Sequence, residues 1–201
     1  LITVPELVAE KLPALSEMIN TKLQSDDMFA RQAAEGILPI VKQAKLLAGK
    51  YDCVVTNPPY MGSSFFNEIL KNYINCNFNQ SKNDICAVFV ERFLHNVTSS
   101  GSLAFITIPS WLFISGFDEF REYLIEQHSI QSLIDIGRGL WGSDYGSCSF
   151  VINKHKIEQT IGVFKKLFDQ QSEVNSEDEL RQRFFSRKPY FCSSDDFSLL
   201  P

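Results

Sequence analysis

The sequence predicts an α/β fold built around a mostly parallel sheet, and three observations carry the prediction. Short apolar runs at Tyr51–Thr56, Leu103–Ile108, Ile130–Ile136 and Cys148–Asn153 alternate with stretches of helical periodicity. The runs are rich in Val, Ile, Leu and Phe with little polar alternation, as parallel strands covered on both faces require. The run at 51–56 also ends in Asn57-Pro58-Pro59-Tyr60, a stiff polar turn at the strand end where open α/β sheets bind their ligands.

Before the first strand, Leu7, Val8, Leu12, Leu15, Met18, Ile19 and Leu23 recur at helical spacing. A second helix is expected after the acidic cap Asp26-Asp27, broken or kinked at Gly36 and Pro39 and ended by Gly49. Residues 1–50 therefore read as a helical lead-in without chemistry. After the tetrapeptide come a helix near Phe65–Tyr73, a polar loop over 75–83, and a helix from Asp84 to about Val97, with Asp84 as N-cap. Ser99-Ser100-Gly101 reads as a turn before the strand 103–108, and Pro109-Ser110-Trp111 as a turn after it. A helix over Asp118–Gln127 leads to the strand 130–136. The glycine-rich loop Gly137-Arg138-Gly139-Leu140-Trp141-Gly142 follows. With about a dozen residues and no helix between them, the strands 130–136 and 148–153 are expected to be antiparallel. Residues 51–156 form one catalytic segment in this reading, and 157–201 a helix and connecting segment.

Composition narrows the classes. Of 201 residues 44% are hydrophobic and 21% charged, enough for a real core. The net charge of −5 opposes a role as an autonomous nucleic-acid binder, since phosphate contacts need Lys and Arg. Five cysteines without a Cys-x-x-Cys pair point to reduced, mostly buried thiols in a cytoplasmic protein, and no spacing of His or Cys suggests a metal. The apolar stretch 103–117 is too short for the roughly 20 residues of a membrane span and contains Pro109. The chain opens on Leu1 with no signal segment and reads as part of a longer polypeptide.

The tetrapeptide has a specific chemical meaning. Two prolines fix φ, and each restrains the residue before it, so the turn is rigid before a ligand arrives. Pro59 has no N–H, which leaves the Pro58 carbonyl available beside the Asn57 amide oxygen. Two acceptors next to the Tyr60 ring make a receptor for a planar amino group. Trp111 and Phe105 read as core residues, His95 and His128 as surface or cap histidines, and the acidic run 173–179 as a solvated stretch.

In their order, four blocks resemble the N6-adenine DNA methyltransferases, most closely the adenine-specific enzymes of BREX phage defence. They are Lys50-Tyr51-Asp52 through Gly62, Asn83-Asp84 through Arg92, Gly101-Ser102 through Trp111, and Gly137 through Gly142. The resemblance covers Lys42 to about Asn153 and implies the second half of a Rossmann-like S-adenosylmethionine-dependent methyltransferase domain, with parallel strands and a final antiparallel strand. It implies that Asn57, Pro58, Pro59 and Tyr60 act on a flipped adenine, with Trp141 on the other face of the base. Phe89 would pack near the cofactor's adenine, and Asp84 would line the same region. Such a protein belongs to restriction-modification or phage defence. It meets double-stranded DNA through regions outside this segment, and defence-complex proteins are further expected partners.

The family's methionine-binding glycine loop and ribose-binding acid find no counterpart in residues 1–50, so this chain alone is expected to be inactive. Its first strand should lie at an open sheet edge and favour self-association. Two other readings stand beside this one: a methyltransferase for a protein glutamine or a ribosomal RNA amine, and a non-catalytic assembly subdomain.

Overall fold

The computed structural model describes residues 3–140, 145–169, 173–193 and 196–197. These fall into two compact units, 1–50 and 51–201.

The first unit is helical: α1 (Glu6–Ala9), α2 (Leu12–Leu23) and α3 (Met28–Ala48). Leu12 and Ile19 of α2 and Ala34 and Val41 of α3 form its small buried core. Asp27 caps α3, accepting from the N–H groups of Phe29 (2.9 Å) and Ala30 (3.2 Å). The helix runs unbroken through Gly36 and Pro39, so of the expected break or kink the break does not occur. A proline deletes one backbone hydrogen bond, and the surrounding turns together with the packed apolar stripe outweigh that loss.

The second unit is built on a six-stranded sheet: β1 (Tyr51–Thr56), β2 (Val97–Thr107), β3 (Ser129–Gly137), β4 (Ser147–Asn153), β5 (Ile161–Lys166) and β6 (Tyr190–Ser193). The strand order is β1-β2-β4-β3-β5-β6. Strands β1, β2, β3 and β5 share one direction, while β4 and β6 oppose them. The α/β class and the antiparallel β3–β4 pair are therefore as expected. However, β4 is not the final strand. Residues beyond 157 do not merely connect: β5 pairs in parallel with β3, and β6 closes the sheet.

Helices α4 (Glu68–Asn77), α5 (Ile85–Leu94), α6 (Ser110–Phe113), α7 (Asp118–Gln127) and α8 (Glu177–Ser186) complete the unit. The core lies between the sheet and α5, α6 and α7, where Phe105, Phe120, Phe150, Leu103, Leu124 and Ile152 are fully buried. Each such side chain contributes on the order of 1.5–3 kcal/mol. Trp111 sits edge-on to Phe150 at 5.1 Å and to Phe120 at 5.8 Å, so the reading of Trp111 and Phe105 as core residues holds.

The expected turn at Ser99–Gly101 is instead part of β2, and the irregularity appears as a register jump against β1. At Gly101 an added Cβ would lie 2.7 Å from the Asp52 carbonyl oxygen. Glycine thus lets the strand pass too close to β1 for any side chain, where sequence punctuation alone suggests a stop. His128 is buried at the end of α7, its ring Nδ1 2.5 Å from the Lys154 carbonyl oxygen, while His95 ends α5 at the surface. Among the described residues, no helix is long and apolar enough to cross a membrane. None of the clusters of His, Cys, Asp and Glu there could hold a metal ion.

Candidate active site

Strand β1 delivers Asn57 to the carboxyl edge of the sheet, and the two prolines carry the chain across that edge to Tyr60. Pro58 is buried, whereas Asn57, Pro59 and Tyr60 are exposed. The turn closes on itself: the Tyr60 hydroxyl donates to Asn57 Oδ1 at 2.5 Å and lies 3.2 Å from the carbonyl oxygen of Ile106 near the end of β2. One hydroxyl therefore fixes the carboxamide and ties the turn to the neighbouring strand.

Beyond Tyr60 the chain is clipped to the segment entering α5. The Ile85 N–H donates to the Met61 carbonyl at 2.9 Å, the Ser63 N–H donates to the Asn83 carbonyl at 2.9 Å, and Gly62 forms an antiparallel bridge with Asp84. The first two of the four sequence blocks thus meet in space. Asp84 is 5% exposed and caps α5, accepting from the Cys86 N–H at 2.8 Å. Burial and the Asp84 carboxylate together push the Cys86 thiol up, so it stays protonated.

Tyr60 is also held neutral, its hydroxyl raised first by burial and then by the Cys86 and Cys148 thiols. Cys148, the second residue of β4, stands opposite Thr107 of β2. Its sulfur is 3.2 Å from Thr107 Oγ1, which accepts from Trp111 Nε1 at 3.0 Å, and burial lifts the thiol to about 11. Opposite Cys148 in the ladder stands Asp135 of β3, 6% exposed and with Oδ1 unpartnered. Its carboxyl is raised by burial against the opposing pull of the Gly137 amide and Lys166. Sequence reading passed over Asp135, Thr107 and Cys148. The available signal was an acid inside the apolar run Leu133-Ile134-Asp135-Ile136.

Phe89 is half-buried on α5, its ring 5.7 Å from Phe93 and packed with Val54 against the core. Trp141 lies outside the described residues. The loop that carries it begins with Gly137 (φ 92) and Gly139 (φ 86), backbone angles that glycine alone adopts without strain. A Cβ at Gly139 would also stand 3.1 Å from the Val174 carbonyl oxygen. Of the five cysteines, Cys86 and Cys148 are buried, Cys192 is partly so, and Cys53 and Cys76 are exposed. The thiols are free, as expected, but fewer are buried than expected.

The chain is similar to known proteins. A model of the Eco57I restriction-modification methylases matches residues 6–141, more than half of the chain. The adenine-specific methyltransferase BrxX of Escherichia coli O9:H4 (strain HS) is 28% identical over 207 residues, covering 100% of this chain and 17% of its own length. The adenine-specific methyltransferase PglX of Lacticaseibacillus casei (strain Zhang) is 32% identical over 134 residues, or 65% of this chain and 11% of its own. The chain thus spans less than a fifth of either relative. A crystal structure of a putative class I S-adenosylmethionine-dependent methyltransferase from Listeria monocytogenes superimposes with a TM-score of 0.50 at 9% identity. It covers 91% of this chain and 70% of that one, a likeness of fold. On the family match, the chain belongs to the Eco57I restriction-modification methylases.

Proposed function

We propose that this chain supplies the amine-binding half of a DNA methyltransferase that methylates N6 of a flipped adenine. The observation that carries the reading is the Asn57–Tyr60 turn at the open carboxyl edge, with the Asn57 carboxamide oriented by the Tyr60 hydroxyl.

An exocyclic adenine amine is a poor nucleophile because its lone pair is delocalised into the ring. Asn57 Oδ1 and the Pro58 carbonyl accept its two N–H groups and draw the nitrogen towards tetrahedral geometry. Both acceptors strengthen as positive charge develops on nitrogen, so they favour the transition state over the ground state. Asn57 Oδ1 has two lone pairs and can serve Tyr60 and the amine together. The Tyr60 ring offers a face for stacking. The duplex gives up a few kcal/mol to flip the base out, and that cost is lowest where pairing is weakest.

S-adenosylmethionine, the donor implied by the family and by the fold, supplies a methyl group already activated on a sulfonium. On this chain Phe89, with part of its ring still open, and the α5 entrance at Asp84 fit the cofactor's adenine side. The family match favours DNA over a protein glutamine or ribosomal RNA, and the formed turn favours catalysis over a purely structural role. Trp141 remains our candidate for the far face of the base. Defence-complex proteins are proposed partners, a cytoplasmic setting agrees with the free thiols, and the open side of β1 is a proposed self-association surface.

The test is transfer of labelled methyl by the full-length protein carrying this chain, offered DNA, ribosomal RNA and protein. Label in adenine, reduced about 100-fold or more by Asn57→Ala, is the expected result. Label in protein or RNA overturns the DNA assignment, and an active Asn57→Ala variant overturns the role of the turn.

A further inference from the structure

The net charge of −5 hides a local reversal at the edge that carries Asn57. Strands β3 and β5 run parallel to β1, so Arg138 (just after β3) and Lys166 (the last residue of β5) reach the same carboxyl edge. Strand β6 is antiparallel and pairs its first residue, Tyr190, with Phe164, so Arg187 and Lys188 enter at that edge too. Arg138, Lys166 and Lys188 are exposed. Around β5 and β6 a cleft of about 410 Å³ is lined by Lys166, Phe168, Asp169, Arg187, Lys188 and Tyr190. Arg187 is paired with Asp169 there, and Lys166 Nζ rests 4.6 Å from the Phe168 ring centroid. Among the described residues, the acids of this region are Asp135, buried and in register with Lys166, Asp169, so paired, and Glu173, whose backbone bridges Arg138; those of α8 sit in its first turn, Glu177–Glu179.

Cations interleaved with aromatic rings, with one acid already neutralised, suit a polyanion backbone. Four strand spacings separate β1 from β5, about 19 Å at ~4.8 Å each. Along a duplex at 3.4 Å per base pair, that is about six base pairs.

We propose that this β5–β6 edge is a phosphate-binding surface for the DNA backbone, about six base pairs to one side of the flipped adenine. The site sets the orientation of the duplex across the sheet edge and reads no bases. It rests on the DNA reading of the Asn57 turn, and it moves part of the DNA contact into a segment whose overall charge argued against one.

The experiment compares the full-length protein carrying this chain with its Lys166→Gln/Lys188→Gln variant, measuring duplex DNA affinity from low to moderate salt. Both lysines are exposed, and unchanged thermal unfolding confirms that the variant is folded. The expected result is weaker binding to every duplex, with the slope of log affinity against log salt reduced by about 1 per lysine. Phosphate ethylation gives a second readout: modification about six base pairs from the target adenine should weaken the parent protein and leave the variant indifferent. An unchanged slope with no ethylation effect overturns the inference. Adenine methylation that depends on Asn57 while the slope stays unchanged sinks this inference alone; absence of methyl transfer to DNA by the parent protein sinks the reading beneath it.

Discussion

Asn57 presents an exposed amide oxygen with two lone pairs, and Tyr60 uses one of them. The hydroxyl that Tyr60 donates and the aromatic platform we propose for its ring can therefore be separated. Tyr60→Phe keeps the ring and removes the donor, so base binding should persist. Tyr60→Ala should weaken productive DNA binding about 10- to 100-fold, the scale of one lost base–aromatic stack, as read in the KM for DNA. A second residue-scale expectation concerns Glu91 of α5, 6% exposed and accepting a 2.6 Å hydrogen bond from Ser81. Burial raises its carboxyl, and the Ser81 hydroxyl opposes that only in part. The folded state then holds the proton more tightly than the unfolded chain. This stabilisation is full below the ordinary Glu value near ~4.3 and is lost as pH rises through the raised native value. Glu91→Gln should raise Tm at pH 7 by about 2–4 °C, the shift produced by about 1 kcal/mol in a protein of this size, and the gain should vanish near pH 4.

Among elements, those with one dominant local signal were legible. The helix Asp118–Gln127 has the boundaries its periodicity gives, and the Asp84 cap was plain because a short acid precedes an apolar run. Elements decided by partners far along the chain were not legible. The register of β2 through Gly101 depends on a carbonyl some 50 residues away, and β5 pairs with a strand formed 30 residues earlier. The same contrast holds in the site. The tetrapeptide announced itself, while Asp135 and Cys148 gained meaning only when the ladder set them opposite one another. Two measurements bear on these elements. Asp84→Ala should cost about 1 kcal/mol by denaturant unfolding and Asp84→Asn almost nothing, since Asn caps equally well. Gly101→Ala must push against the Asp52 carbonyl and should destabilise by about 1–3 kcal/mol, as crowding elsewhere does.

For the whole molecule, β1 ends the sheet as an edge strand with Val55 72% exposed. An uncovered edge with apolar side chains is a template for another strand. The isolated chain should therefore self-associate in light scattering, and Val55→Lys should shift it towards monomer; a strictly monomeric parent at high concentration would remove this expectation. The sheet order has a kinetic consequence as well. Strands β2 and β3 are not neighbours; both lean on β4, which comes after them in sequence. A ribosome that has released residues as far as 137 has made the β1–β2 pair and β3 but nothing to join them. Only when Ser147–Asn153 emerges can β3 join the β1–β2 pair in one sheet, so a pause there would leave a two-stranded ladder and a lone strand waiting on seven residues.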